Sequence, residues 1–174
     1  MTQKGFSLIE LLAALALLGV LLHLGAGALG QLLISNRQQL MAQGLASGLR
    51  QARHEAILRH ATTVIQARED GWSQGWRIIL DVSGRGPQDS NNPVLVEHQA
   101  GGQVVVVGNR PVKRFVRFSS LGQPLLPSGA FQAGTLHICA REQSTSRYQV
   151  VLSRTGRVSL RSEQTEQAVC ADSD

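Results

Sequence analysis

The sequence predicts an α+β protein in which a long N-terminal α-helix packs on a C-terminal antiparallel β-sheet or sandwich. Three observations lead to this fold class. An uncharged apolar run covers residues 11–30, an amphipathic stripe follows up to about residue 60, and the period of apolar residues shortens to two from residue 61 onward. The 174 residues leave room for one globular domain and an appendage.

The apolar run is long enough to cross a membrane. Residues 11–30 contain no Asp, Glu, Lys or Arg, and as a helix they span about 30 Å, the thickness of a bilayer core. A cleaved secretory signal peptide is the competing interpretation, because the basic Lys4 precedes the run and small residues lie near its end. The length of the run and the helical pattern that continues through Gln31 favour a membrane helix.

Residues 31–60 predict an amphipathic helix, because apolar residues recur there on one face. That face can pack on a folded domain while the opposite face contacts water. We expect the packed stripe to comprise Leu33, Leu40 or Met41, Leu45, Leu49, Ala52, Ala56 and Ile57, and the wet face to comprise Arg37, Gln38, Gln39, Gln43, Arg50, Arg53 and Arg59.

Residues 61–174 predict a β-rich domain. β-Branched residues concentrate in short segments of period two, and glycine and proline separate these segments as antiparallel sheets require. The expected strands are Thr62–Arg68, Trp76–Val82, Val94–Gln99, Val104–Gly108, Arg114–Ser119, Thr135–Cys139, Gln149–Leu152 and Arg157–Leu160.

Glu10 stands at the head of the apolar run. A carboxylate at this place is costly in lipid and normally has a partner or a function. A helix that served only as an anchor would not need it.

Residues 5–10, with the sequence GFSLIE, resemble the class III signal of type IV pilins and type II secretion pseudopilins. The resemblance implies a prepilin leader over residues 1–5, cleavage after Gly5 by a prepilin peptidase, and N-methylation of Phe6. It also implies that residues 6–30 form a transmembrane and assembly helix. In such proteins the glutamate pairs with the N-terminal amine of a neighbouring subunit, a role that falls to Glu10.

Further segments resemble the GspH/FimT branch of these minor pilins and pseudopilins. They are LRQARHEAI at residues 49–57, the stretch around Trp72 and Trp76, FSSLGQ at residues 118–123 and SRTGRV at residues 153–158. The resemblance implies a pilin-like fold, with residues 31–60 as a periplasmic helix and residues 61–174 as the globular domain.

The function implied is that of a non-enzymatic subunit of a periplasmic pseudopilus of the type II secretion system or of a type IV pilus, supporting protein secretion or pilus biogenesis. The implied partners are other pilins or pseudopilins, the assembly platform of the bacterial inner membrane, prepilin peptidase and membrane lipid, with no small-molecule substrate. The chain would cross the inner membrane once before it enters the fibre. A membrane-tethered periplasmic domain that never polymerises is an open alternative.

Cys139 and Cys170 lie in the part that should face the periplasm, where disulfides form and persist. We expect them to be joined. A bridge that closes a loop of this length is worth about 3–4 kcal/mol in the chain-entropy model.

Two cationic segments raise the question of nucleic acid. Lysine and arginine number 17 against 12 acids, and all but two of these cations are arginine, which suits phosphate and carboxylate. In the FimT branch a C-terminal G-R-x-R motif is associated with DNA binding during natural transformation. Gly156 and Arg157 match it, Ser159 stands at the second arginine position, and Arg161 follows two residues later. A DNA-binding minor pilin is thus the alternative function, with candidate contacts Arg110, Lys113, Arg114, Arg117, Arg154, Arg157 and Arg161.

The sequence contains no visible constellation for catalysis, so we expect no catalytic residue, no cofactor and no metal. His54, Glu55 and His60 lack the spacing of ligands on one helical face. Residues 81–89 resemble a calcium loop only loosely, because Arg85 lies among the would-be oxygen ligands. We expect a turn between strands there.

Overall fold

A computed structural model of the chain describes residues 8–68, 71–139, 145–166 and 170, without the side chains of residues 21–28, 165 and 166. The chain divides into two compact units, Met1–Arg37 and Gln38–Asp174. One α-helix, α1 (Leu8–Leu58), contributes residues to both units.

The first unit, as far as it is described, is the N-terminal part of α1. All of its described large apolar side chains are more than half exposed, including Leu33 of the predicted stripe. Among the described residues, none of the helices combines the length and the apolarity needed to cross a membrane. The span predicted over residues 6–30 includes positions outside the description, so it stays a prediction.

The second unit has nine strands within the described residues. All the predicted strands are present, and most agree within one residue; β2 and β7 begin earlier than predicted, and β9 was not predicted. The strands are β1 (Thr63–Arg68), β2 (Gly71–Leu80), β3 (Val94–Gln99), β4 (Val105–Gly108), β5 (Phe115–Phe118), β6 (Gly134–Cys139), β7 (Thr145–Leu152), β8 (Val158–Arg161) and β9 (Thr165–Glu166).

These strands form two antiparallel sheets, as the sequence predicted. The first has the order β3-β2-β1-β5, and the second has the order β4-β6-β7-β8, with β9 paired to β7. In the first sheet Ile65 is opposite both Ile78 and Val116. In the second, Leu136 is opposite Val150. These side chains are all buried in one core that both sheets share with α1.

The helix contributes small residues to this core. Its buried apolar positions in the second unit are Met41, Ala42, Leu45, Ala46, Leu49, Ala52 and Ala56. Two predictions fail here, because Ile57 is exposed and Gln38, predicted to be wet, is buried. Of the alternatives Leu40 and Met41, Met41 is the buried one. Two of the buried alanines, Ala42 and Ala46, were not predicted. The buried face is rotated toward them because small side chains let the helix approach the sheets closely.

Gly44 and Gly48 lie where α1 packs directly against Trp76 of β2. A Cβ on Gly48 would lie 2.5 Å from Nε1 of Trp76, and one on Gly44 would lie 3.2 Å from Cη2 of the same indole. Trp76 is itself buried and stacks on the His98 ring at 4.1 Å between centroids. The indole therefore occupies the space that a helical side chain would otherwise take.

We expect Gly48→Ala to lower the free energy of unfolding by about 2 kcal/mol, because overpacking a rigid buried ring outweighs the better helix propensity of alanine. Gly44→Ala should cost less, since its contact is longer. Gly30→Ala, where a Cβ meets nothing within 4 Å, is the matched control. Urea unfolding followed by fluorescence of Trp72 and Trp76 measures the effect. Equal stability of the Gly48 and Gly30 variants would contradict the proposed packing.

Candidate functional site

The residues predicted for processing and assembly lie at the N-terminus. Gly5 and Phe6 are outside the described residues. Glu10 is in the first turn of α1 and is exposed, with the exposed apolar Ile9 and Leu11 on either side. The positive end of the helix dipole stabilises a carboxylate at this position.

Two arginines of the predicted wet face, the exposed Arg50 and the half-buried Arg53, also bind backbone of the β domain. Nη2 of Arg50 donates to the carbonyl of Val158 at 3.1 Å, and Nε of Arg53 donates to the carbonyl of Gly122 at 3.0 Å. A hydrogen bond from a charged donor is worth about 1.5–3 kcal/mol. These arginines attach the last turns of α1 to the start of β8 and to the turn after β5.

Three of the four segments that resemble the GspH/FimT branch meet at one place, the helix–turn junction formed by Arg53, Gly122 and Gly156. Gly156 has a φ of 81°, and a Cβ there would lie 2.6 Å from the carbonyl oxygen of Gly122 and 3.0 Å from Nε of Arg53. Only glycine tolerates both the left-handed backbone and this contact. The junction thus gives structural roles to residues of LRQARHEAI, FSSLGQ and SRTGRV.

The four cations of the first cationic segment, residues 110–117, have different environments in the fold. Nε of Arg117 donates to Oδ2 of Asp81 at 3.1 Å, and the Asp81 side chain is fully buried. Arg117 is therefore a structural ion-pair partner, and its role as a nucleic-acid contact stays a prediction. The other three cations, Arg110, Lys113 and Arg114, are exposed.

The second cationic segment, residues 154–161, forms the turn between β7 and β8 and the strand β8. Its turn is closed by bonds from the Ser153 amide to the Arg157 carbonyl at 2.9 Å and from the Arg157 amide to Ser153 Oγ at 3.0 Å. Arg154, Arg157 and Arg161 are exposed. Arg157 precedes β8, so only Ser159 and Arg161 share a strand face by alternation.

The predicted disulfide is present and joins the end of β6 to the C-terminal segment. Cys139 and Cys170 are bonded with their Cα atoms 5.6 Å apart, and both are buried. The carbonyl of Cys139 accepts a bond of 3.1 Å from Nε2 of Gln38 on α1. The bridge and this bond together connect the helix, the second sheet and the C-terminal segment.

A buried polar cluster lies beside the disulfide on β6 and β7. Nδ1 of His137 is 3.3 Å from Oγ of Ser146, which accepts a bond of 2.9 Å from Nε2 of Gln149. The same Nε2 of Gln149 also donates to the carbonyl of Glu163 at 2.8 Å. Burial lowers the pKa of His137 below its usual value of 6.5, because the charged imidazolium would lose its hydration.

The segment predicted to be a turn rather than a calcium loop is held by its own side chains. Oδ1 of Asp81 accepts from the Gly86 amide at 2.9 Å, and Nδ2 of Asn92 donates to the Gly86 carbonyl at 2.9 Å. The Asn91 amide, with Ser83 and Arg85, lowers the pKa of Asp89. Within the described part of the chain, no three His, Cys, Asp or Glu residues are grouped so as to hold a metal.

Comparison with known proteins identifies the family of this architecture. The sequence profile described as Type II transport protein GspH matches residues 41–156, more than half of the chain. This chain belongs to the GspH family. A second profile, described as Prokaryotic N-terminal methylation motif, matches residues 1–26. Motif and family together indicate a subunit that is anchored in a membrane before it enters a fibre.

Similar proteins of known description are pilins. Pilin-like protein PilA1 of Thermus thermophilus is 32% identical to the GspH-family chain over 165 residues, which cover 92% of this chain and 99% of PilA1. Crystal structures of the type IV minor pilin FimU of Pseudomonas aeruginosa in two space groups share the fold, with TM-scores of 0.60 and 0.58 at 22% identity. They align with 78% and 76% of this chain, and with 96% and 98% of FimU. The GspH-family chain is therefore a minor pilin or pseudopilin, a structural and non-enzymatic protein that associates with other pilins.

Sequence reasoning missed several polar residues that organise the GspH-family domain. Gln132 is fully buried; its Oε1 accepts from the Arg117 amide at 2.9 Å, and its Nε2 donates to the Phe115 carbonyl at 2.8 Å. Trp72 Nε1 donates to the carbonyl of Lys113 at 3.0 Å. A lone glutamine in a loop carries no sequence signal for this role.

The His137 environment predicts a pH dependence of stability. Because the folded pKa is lowered, the unfolded chain binds more protons once the pH falls below about 6.5, so stability declines as the pH drops from there toward the folded pKa. We expect unfolding free energies measured between about pH 8 and about pH 5 to fall less steeply for His137→Gln than for the unmodified chain. His54→Gln, at an exposed helix position, should keep the original dependence. An unchanged slope in His137→Gln would contradict the assignment.

Proposed function

We propose that this GspH-family chain leaves the inner membrane by assembling through its N-terminal helix into a periplasmic pseudopilus or type IV pilus, where it supports protein secretion or pilus biogenesis. The observation that carries the proposal is the exposed apolar surface of the first unit. A surface of this size on a soluble protein marks a contact with lipid or protein. Its exposed side chains are Leu8, Ile9, Leu11, Leu12, Leu15, Leu17, Leu18, Val20, Leu29, Leu32, Leu33 and Ile34.

Glu10 supports assembly over simple tethering. Cleavage after Gly5 frees the amine of Phe6, and inside a fibre that amine of one subunit needs a carboxylate partner in an apolar environment. Glu10 is the one acid in the first turn of α1. Breaking such an ion pair on one side costs about 3–5 kcal/mol, because the other charge stays buried alone.

We therefore expect Glu10→Gln to lower incorporation of the chain into sheared fibres at least about tenfold, because the amine loses its partner while side-chain shape is kept. Immunoblotting of the fibre and membrane fractions measures it. Glu10→Asp, which keeps the charge, is the matched control and should retain part of the incorporation. Cleavage after Gly5, read by mass spectrometry, shows that the variants reach the peptidase.

Normal fibre incorporation of Glu10→Gln would contradict the assembly role of Glu10, whereas absence of the unmodified chain from the fibre fraction would favour the non-polymerising tethered domain. Loss of protein secretion in this variant would indicate a pseudopilus, and loss of surface pili would indicate a type IV pilus. The two fibre systems share the chemistry of the helix, so only these separate readouts distinguish them.

DNA binding is a second candidate, favoured by the cations around the β7–β8 turn. Arg154, Arg157 and Arg161 are exposed, and among the described residues their side chains make no hydrogen bond or ion pair. A turn fixed by its own hydrogen bonds presents these charges in a set arrangement. Such an arrangement can track phosphates without reading base sequence.

The expected result is a duplex-DNA affinity that falls with salt, with Arg157→Ala lowering the slope of log K against log salt by about one contact. Fluorescence anisotropy with labelled duplex measures both. Arg85→Ala, which removes an exposed cation from the turn after β2, is the control of equal charge. Salt-independent binding, or equal losses in both variants, would remove the DNA hypothesis.

A further inference from the structure

We infer that the outer face of the first sheet carries a groove that binds a carboxylate-bearing peptide segment of a partner protein. The groove has a volume of about 680 Å³ and lies wholly within the second unit. It is separate from the apolar helix surface and from the β7–β8 turn. The inference goes beyond the proposed function, because assembly through Glu10 does not require it.

The sheet register builds the floor of the groove. Gln66, Arg77 and Glu97 stand opposite one another on β1, β2 and β3. Since side chains alternate along a strand, they lie on the face opposite the core residues Ile65 and Ile78. This face is the one that α1 does not cover.

The walls come from two turns that are fixed by hydrogen bonds. Pro87 and Gln88 form one wall, and the turn that carries them is anchored to the buried Asp81 through the Gly86 amide. Lys113 and Arg114 form the opposite wall. Bonds from Trp72 and Gln132 to the backbone on either side of them fix this second turn. A groove with fixed walls loses little conformational freedom on binding.

The lining is positively charged. It contains four cations and a single acid, Glu97, which forms an ion pair with Arg68. The Arg77 guanidinium donates to the side-chain oxygen of Gln66, in the amide orientation that satisfies both groups. Lys113 and Arg114 are exposed, and within the described part of the chain they make no side-chain hydrogen bond or ion pair. Lys113 and Arg114 are therefore available to an incoming carboxylate. The guanidinium groups of Arg68 and Arg77, held by Glu97 and Gln66, add positive charge to the same lining.

The remaining lining favours a peptide over nucleic acid. Phe115, Ala67 and Pro87 contribute apolar surface, and Gln88 contributes a neutral amide that can bond to a peptide backbone. The Glu97 carboxylate would repel a continuous phosphate backbone but tolerates single carboxylates beside the cations. The volume falls within the range of about 300–1,000 Å³ that is typical of ligand sites, and such a site holds a short segment rather than a duplex.

The test uses the full chain in mild detergent and a short fluorescein-labelled peptide in which aspartate alternates with glycine. We expect saturable binding by fluorescence anisotropy that weakens with salt. Lys113→Ala and Arg114→Ala should each weaken binding about fivefold. Arg110→Ala is the matched control, because Arg110 is an exposed cation of the same segment but does not line the groove. It should change the affinity less than about twofold.

Three results would overturn the inference. The first is equal binding of the peptide in which asparagine replaces aspartate. The second is an equal loss in Arg110→Ala and Lys113→Ala, which would indicate general electrostatic attraction. The third is displacement of the peptide by a single-stranded oligonucleotide at lower concentration than by unlabelled peptide, which would assign the groove to nucleic acid. Fibre incorporation, measured in parallel for Lys113→Ala, separates failure of this inference from failure of the assembly proposal.

Discussion

The close approach of α1 to β2 is the constraint on which the rest of the second unit depends. Gly48 offers no Cβ, so the indole of Trp76 lies directly against the helix backbone, and alanines fill most of the remaining helix contact. At this short separation the guanidinium groups of Arg50 and Arg53 reach the Val158 carbonyl in β8 and the Gly122 carbonyl in the turn after β5. A bulkier helix face would move these donors away from their acceptors. The hydrogen bonds of Arg50 and Arg53 therefore depend on the close packing that Gly48 and the alanines of α1 allow.

Much of the β domain could be predicted because its signals are local. Alternating apolar residues bounded by glycine and proline located β1, β3 and β5 within a residue, since burial of one sheet face imposes that period. The early start of β2 was missed because glycines at 71 and 75 interrupt the alternation. β9 was missed because it has only two residues, both polar, so the sequence offers no alternating apolar pattern there.

The helix face was predicted less well for a physical reason. Hydrophobicity ranks leucine above alanine, so Leu40 was an alternative to Met41 for the core, whereas the buried face combines Met41, Leu45 and Leu49 with four alanines. Leu40 is 58% exposed and Ala42 is fully buried. Gln38 and Gln132 were unpredictable in the same sense, because each is buried to satisfy backbone carbonyls distant in sequence. The need for such a donor exists only once the chain has folded.

The surplus of arginine changes meaning once the fold is known. Two arginines of α1, Arg50 and Arg53, donate to backbone carbonyls of the β domain. A planar guanidinium on a long stem reaches farther than other donors. A further part is neutralised in ion pairs such as Arg117 with Asp81. Among the described residues, two groups of cations form no side-chain hydrogen bond or ion pair and lie close together in sequence: Lys113 and Arg114 at the groove of the first sheet, and Arg154, Arg157 and Arg161 around the β7–β8 turn of the second. A ligand that follows phosphates along an open surface suits the turn, whereas a ligand with isolated carboxylates suits a walled groove. Because the two sets lie on different sheets and differ in enclosure, net charge alone cannot decide what either one binds, and each requires its own ligand and its own charge-matched control.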